Sequence, residues 1–415
     1  MTTIGREPPP ILDLVATGPA EPYGPAKARL AASVQANRAE ILELSHRIHA
    51  NPEVAYEERQ ASAWIAESLR RHGFAVEHPA GSLSTAIRGR LAGGRAGEPG
   101  GDRPRIGILA EYDALPGLGH GCGHNTMAAS GLGAALALAS IAAELPGEIV
   151  FLGTPAEERG SGKAAMLDDG LFDGLDAALL YHPSDQTHIT CGLLASEDVE
   201  VTFHGFQAHA ASDPWLGRNA LDALVMLFTS VGLWRQQLRP EARVHGVILE
   251  GGTAANIIPD RTRAWFMIRS PQEAEYARMR TRFEELCRAA ALAADCTVEV
   301  VFSGQASTMR NNLVLADRFA ANLAAYGVPA GPEPDNLGSS DMGNVSQVLP
   351  TIHPSIAICA AGVPGHSIEF RDAAALPYAD EVTLLVATVV AQTALELFSD
   401  PALVAAAWRE FRAAG

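Results

Sequence analysis

Between residues 105 and 185 the chain alternates strand-like and helix-like runs, and this rhythm limits the fold more than any other feature. RIGILAEYDA, GEIVFLGTPAEE and DAALLYHPSD are short apolar runs. Between them lie the Ala/Gly segment from about Asn125 and the brief AAMLDDGLF. Strands joined by helical crossovers pair in parallel and are covered on both faces. Near residue 196 the rhythm changes, because SEDVEVTFHG alternates apolar and polar like a strand with one wet face. A helix over about 219–238 follows, then strands VHGVILEGG and RTRAWFMIRS. A charged helix over about 272–294 and the strand TVEVVFS complete the order βαββαβ, that of a ferredoxin-like sandwich. After about Asn311 the first pattern resumes, with a helix, the turn NLGSSDMG, the strand TIHPSIAICA and a closing helix from about Tyr378.

The expected class is therefore α/β. A mainly parallel sheet domain with helices on both faces occupies residues 1–195 and 308–415. An inserted ferredoxin-like α+β domain occupies 196–307. Upstream, one helix is expected over about 27–49 and a second along ERQASAWIAESLRRHG, ended by Gly73. Residues 1–30, with Pro8-Pro9-Pro10, read as an arm, and Gly93–Gly101 as a flexible loop.

Composition excludes several roles. Acidic residues outnumber basic ones 48 to 31, for a net charge of −17, and no basic run interrupts the surplus. Nucleic acid and anionic membrane are not expected partners. The start lacks the cationic-then-apolar pattern of a secretory signal. Thr126–Ala143 carries no charge over 18 residues, close to the minimum for a membrane span. Its Ala, Gly and Ser give little transfer energy, so a buried crossover helix is expected instead. Five cysteines, an odd number without C-x-x-C, suit reduced thiols and a cytoplasmic protein.

Four segments sit just past the expected strand ends, where open α/β sheets place their sites. They are Gly119-His120-Gly121-Cys122-Gly123-His124-Asn125, Thr154-Pro155-Ala156-Glu157-Glu158, Tyr181-His182-Pro183 and Gly365-His366-Ser367. Taken singly, such residues are commonly a buried thiol, a loop histidine or a solvated helix start. Cys122, His124, His182, His366, Glu157 and Glu158 together supply a thiolate, three imidazoles and two carboxylates, donor types that zinc-like ions accept. That is more than one tetrahedral ion needs, so a pair of divalent ions is the economical expectation. Glu157 and Glu158 are neighbours, and extended neighbours point to opposite sides. One should bind metal while the other stands beside the activated water as general base.

The order of A-E-Y-D-A-L-P-G, G-x-G-C-G-H-N, G-T-P-A-E-E, Y-H-P and G-H-S resembles the M20 family of co-catalytic metallopeptidases and amidohydrolases. Within it the likeness is to the branch holding aminobenzoyl-glutamate and auxin-conjugate hydrolases and mammalian-type dipeptidases. It spans roughly residues 35–400, including F-Q-A-H-A-A, P-W-x-G-x-N-A-L-D-A, R-V-H-G and N-I-I-P-D. The resemblance implies Cys122, His124, Glu158, His182 and His366 as ligands of two Zn2+ or Mn2+ ions. It implies Glu157 as general base and Asp113 as the aspartate orienting a ligand. The insert would be a lid that also dimerises, with His209 steadying the oxyanion in the partner's site. Asn256 and Arg269 would bind a substrate carboxylate. Glu111 stands where other members carry a ligand histidine, and its role is left open.

These features lead to a metal-dependent hydrolase, a homodimer, that cleaves a dipeptide or N-acyl amino acid with a free carboxylate. An aminobenzoyl-glutamate amidohydrolase is the sibling alternative. An inactive metal-binding scaffold and a thiol enzyme built on Cys122 are alternatives of other classes.

Overall fold

The computed structural model describes residues 23–94, 103–334 and 337–413. Pro8–Pro10 and most of the 93–101 loop lie outside the described residues. Helices α1 (Gly24–Ala36), α2 (Arg38–Ala50) and α3 (Arg59–Arg71) lead into the strands β1 (Ala75–Glu77) and β2 (Ile87–Ala92). Then come β3 (Arg105–Glu111), α4 (His124–Ala139), β4 (Glu148–Thr154), α5 (Gly162–Asp168), β5 (Ala177–Leu179) and β6 (His182–Ser184). The middle of the chain holds β7 (Ala195–His204), β8 (Ala208–His209), α6 (Ala220–Trp234), β9 (Arg243–Glu250) and β10 (Ile257–Ile258). It continues with β11 (Arg261–Ser270), α7 (Glu273–Ala293) and β12 (Thr297–Ala306). Last are α8 (Leu313–Ala324), α9 (Met342–Ser346), β13 (Thr351–Ile352), β14 (Ser355–Ala357), α10 (Ile368–Ala373), α11 (Pro377–Ser399) and α12 (Pro401–Ala413).

Two compact units result. One is built from the segments up to Gly192, from Met309 to Leu337 and from Asn344 onward; the other comprises Leu193–Thr308 and Gly338–Gly343.

The first unit carries a six-stranded sheet in the order β1-β2-β4-β3-β5-β13. β4, β3, β5 and β13 run parallel, while β2 and β1 close one edge antiparallel. The carboxyl ends of β3, β4 and β5 therefore face one way, and the loops leaving them share that edge of the sheet. α4 shows why its composition is so small-sided. A Cβ at Gly131 would come within 2.9 Å of Ala110 Cβ and the Leu109 carbonyl, so the helix lies flush on β3. Its residues from His124 to Leu138 are all buried, which makes it a core crossover. Among the described residues one helix, α11, is long and apolar enough to cross a membrane, and 94% of its apolar window is buried inside the protein.

Three expectations need correction. The helix expected over 27–49 is two, because Asn37 leaves helical geometry (φ −96°, ψ 7°). Its side-chain amide donates to the Ser33 carbonyl at 2.9 Å, the local competition that makes asparagine a terminator. The runs LLYHPS and TIHPS each break in two, β5 with β6 and β13 with β14. Leu180 and Tyr181 interrupt the first, and His353 with Pro354, which supplies no ladder N–H, the second; past that break β6 and β14 form their own parallel pair. The closing helix is also two. Asp400 accepts from the N–H of Ala402, and Pro401 starts α12, a normal capping arrangement.

The second unit is a four-stranded antiparallel sheet in the order β12-β7-β11-β9. Counted along the unit, this is strand order 4-1-3-2 with helices after the first and third strands, the ferredoxin-like arrangement. The core joins Val199, Val201 and Phe203 of β7 to Leu224 and Leu227 of α6. Phe266 packs between Phe228, tilted to it, and Phe283, edge-on to it, with ring centroids 4.8 and 5.0 Å away. β9 is an open edge.

Candidate metal centre

The loop after β3 turns sharply at Gly123, which sits in the left-handed region (φ 76°) and caps α4. A Cβ there would come within 2.8 Å of Pro183. That turn directs Cys122 and His124, on either side of it, toward residues from other loops. Cys122 Sγ lies 3.5 Å from His182 Nε2 and 3.4 Å from His366 Nε2. His366 Nε2 lies 3.6 Å from Glu158 Oε2. The donors form two overlapping sets, Cys122–His124–His182 and Cys122–Glu158–His366, with the atoms of each set within 4.8 Å of one another. Cys122 belongs to both. A third set joins Glu111, His124 and Glu157, so the two adjacent glutamates go to different groups.

The tautomers follow from the neighbours. His124 Nδ1 is 3.0 Å from the Asp113 carbonyl and 3.0 Å from its carboxylate. His182 Nδ1 is 2.7 Å from the Pro183 carbonyl. All of these are acceptors, so each Nδ1 carries a hydrogen, and each ring in its neutral form offers its Nε2 lone pair inward. Asp113 also accepts the Glu158 N–H at 2.9 Å, so one buried carboxylate fixes a histidine and the backbone of an acid together. His124 Nε2 and Glu158 Oε1 are buried and have no hydrogen-bond partner among the described residues.

Donor atoms on one tetrahedral ion stand about 3.3–3.6 Å apart, given bonds of ~2.0–2.1 Å to nitrogen or oxygen and ~2.3 Å to sulfur. The Cys122–His182, Cys122–His366 and His366–Glu158 separations match that spacing. The donor chemistry, the orphaned atoms and the distances all fit divalent ions.

Burial and then the charge of His124 push His182 down to about 4, which keeps it neutral and able to donate a lone pair. Burial and then the Glu158 carboxylate push the Cys122 thiol up, so a cation is what would draw out its thiolate. Burial opposes charge on His124, but the Asp113 carboxylate bonded to its Nδ1 outweighs that and holds its pKa well above the ordinary value.

A further residue supports the loop that carries both glutamates. Ala156 sits in the left-handed region (φ 60°), uncommon for a residue with a Cβ. Its N–H donates to Glu58 Oε1 at 2.8 Å. That oxygen also accepts from Tyr56 N–H, and Glu58 Oε2 accepts from Thr85 Oγ1 at 2.8 Å. Burial, with a further contribution from Asp113, raises Glu58 to about 7. At the other side His353 is buried, with its ring 5.7 Å from that of His182. Sequence reasoning missed both. The repeated His-Pro-Ser at 182–184 and 353–355 was the available signal for His353; Glu58 gave none beyond an acid at a helix start.

The second unit holds His209, Asn256 and Arg269. His209 pairs across a short ladder with Ile257, and the Ala210 N–H donates to the Asn256 carbonyl at 3.0 Å. His209 and Asn256 are thus neighbours, and both are exposed. Arg269 is half-buried and stands apart, opposite Ser196 and Arg243 in the sheet. Eight residues of β11, about 26 Å of strand, separate it from Arg261 at the end nearer Asn256.

A mainly parallel α/β unit with a shared-thiol donor cluster, interrupted by a ferredoxin-like sandwich, has the build of a metal-dependent amide hydrolase. The chain belongs to peptidase family M20/M25/M40, whose pattern matches residues 107–395. It is 38% identical over 388 residues to the Xaa-Arg dipeptidase of Mus musculus, covering 89% of this chain and 88% of that protein. It is 30% identical over 318 residues to a subunit of the p-aminobenzoyl-glutamate hydrolase of Escherichia coli, covering 72% of this chain and 64% of that protein. Among solved structures, a Bacillus subtilis M20 peptidase described as binding a dinuclear metal aligns with a TM-score of 0.65 at 19% identity. It covers 87% of this chain and 99% of that one. The chain is a metallo-hydrolase acting on peptide or amide bonds.

Proposed function

We propose that the protein is a two-ion dipeptidase, active as a homodimer in the cytoplasm, that releases an amino acid with a free carboxylate. The observation carrying this reading is the Cys122 thiol common to two donor sets. His124 and His182 would complete one site for Zn2+ or Mn2+, and Glu158 and His366 the other. Divalent ions held there supply Lewis acidity and acidify water.

The protein's own residues would do the rest. Glu157 accepts a proton from the attacking water and passes it to the leaving amine. Asp113 holds His124 and the Glu158 backbone in register. His209 Nδ1 accepts from the N–H groups of Ala211 and Ser212, so in the neutral ring Nε2 bears the hydrogen. An exposed N–H of that kind suits a developing oxyanion. Arg269 and Asn256 would take the substrate carboxylate.

The dimer reading draws support from β9, an open edge on which Val247, Ile248 and Leu249 are each about half exposed. A long apolar edge of this sort is normally covered. The strand length between Arg269 and the His209–Asn256 pair suits a site completed by two chains, one giving the arginine and the other the pair. Five unpaired cysteines accord with a reducing compartment.

The likeness to the mouse Xaa-Arg dipeptidase makes dipeptides ending in arginine the first substrates to test. Aminobenzoyl-glutamate is the second, from the Escherichia coli relative. A panel of both, with Zn2+, Mn2+ and Co2+ added separately, should give turnover on at least one dipeptide. Glu157→Gln should lower that turnover by about 10³-fold while bound metal is retained. Near-normal turnover in this variant would contradict the role of Glu157.

A further inference from the structure

Glu111 ends β3, and both it and Lys163 are wholly buried. Lys163 Nζ donates to Glu111 Oε1 at 2.5 Å. Burying an ammonium and a carboxylate costs several kcal/mol per ion before their attraction offsets it. A nonpolar pair would pack the same space as well, so the charges point to a task.

That task is visible at the other oxygen. Among the described residues Glu111 Oε2 has no hydrogen-bond partner, and His124 Nε2, 3.3 Å away, has none either. Nδ1 of His124 already carries its hydrogen toward Asp113. In the neutral ring, the Nε2 lone pair therefore faces a carboxylate across 3.3 Å, too close for a water to stand between them. Two acceptors so placed repel unless something positive lies along that edge. Only a proton on Nε2 or a metal cation answers the requirement. The spacing is that of two donors on one ion, and Glu157 completes the group.

We propose that Glu111 is a further anionic donor to the ion that His124 holds, locked in place by Lys163 on its other oxygen. The inference rests on the two-ion reading above. The rival arrangement, a protonated His124 merely ion-paired with Glu111, has the opposite consequence. Glu111 would then favour the very proton that a metal must displace, and removing it would tighten metal binding.

The test is a metal titration of the full chain, stripped and then reloaded with Zn2+, beside the visible spectrum of the Co2+ form. Glu111→Gln is compared with the double variant Glu111→Gln/Lys163→Met, which leaves no lone buried charge to prevent folding. Melting curves establish that each is folded. In both, affinity for one ion should fall at least about tenfold, and the cobalt absorption should strengthen as the coordination number drops. Equal or tighter binding with an unaltered cobalt spectrum overturns the proposal alone. A wild-type chain that takes up no metal overturns the two-ion reading, and this inference with it.

Discussion

The two units treat their polar residues in opposite ways. In the first, Cys122 and His366 are 244 positions apart in sequence yet 3.4 Å apart in space. Donor atoms from four loops converge there, and several are buried with no hydrogen-bond partner among the described residues. In the second, the residues of interest are satisfied and peripheral. His209 accepts from two nearby N–H groups, and Arg269 Nε donates to Met267 Sδ at 2.9 Å. A set of buried, unsatisfied donors is costly unless a ligand completes it, so the first unit has the mark of a preorganised site. Among its described residues the second has only scattered atoms of that kind, Glu275 Oε2 and Ser339 Oγ, and no converging set. Any part it plays in chemistry must be made against another surface.

The sharpest way to break this comparison is His209→Ala. If the insert supplies an oxyanion donor, turnover should fall about 10²-fold or more with the metal content unchanged. A variant that loses metal instead would erase the distinction between the units. Mixing His209→Ala with Glu157→Gln chains sharpens it further. With sites shared across a twofold dimer, random re-assortment should restore about a quarter of the wild-type sites. No recovery after verified exchange would mean that His209 does not act across subunits.

A smaller effect lies behind the preorganised loop. Glu58 is raised from 4.5 to about 7, so between those values the folded protein holds a proton that the unfolded chain has lost. Its contribution to stability is complete below about pH 4.5 and disappears as pH rises through 7. Glutamine can copy the protonated form, its oxygen accepting from Tyr56 and Ala156 and its amide facing Thr85. Glu58→Gln should therefore melt increasingly above the wild type from pH 5 to 8, with a total difference of up to about 3 kcal/mol. Parallel melting curves across that range would show that the carboxyl is not held protonated.

The sequence made the periodic and the local legible. Strand–helix alternation revealed the α/β frame, and the switch to apolar–polar alternation at 196 revealed the sandwich. Glycine beside Cys122 and His124 signalled a turn. What stayed hidden depends on distant partners. Lys163 and Glu111 lie 52 residues apart and have no shared motif. Glu58 meets Ala156 across 98 positions. The strands β1 and β2 escaped notice because β1 is three residues long and mostly exposed. The break at Asn37 was written in a single residue, which an otherwise helical pattern outweighed.

The central claim is a pair of ions sharing the Cys122 thiolate. Anomalous scattering from crystals of the full chain grown with Zn2+, recorded on both sides of the zinc edge, addresses it most directly. The account predicts two zinc peaks, both within bonding distance of Cys122 Sγ, one beside His124 and His182 and the other beside Glu158 and His366. A single peak, or two peaks that leave Cys122 uncoordinated, would contradict it.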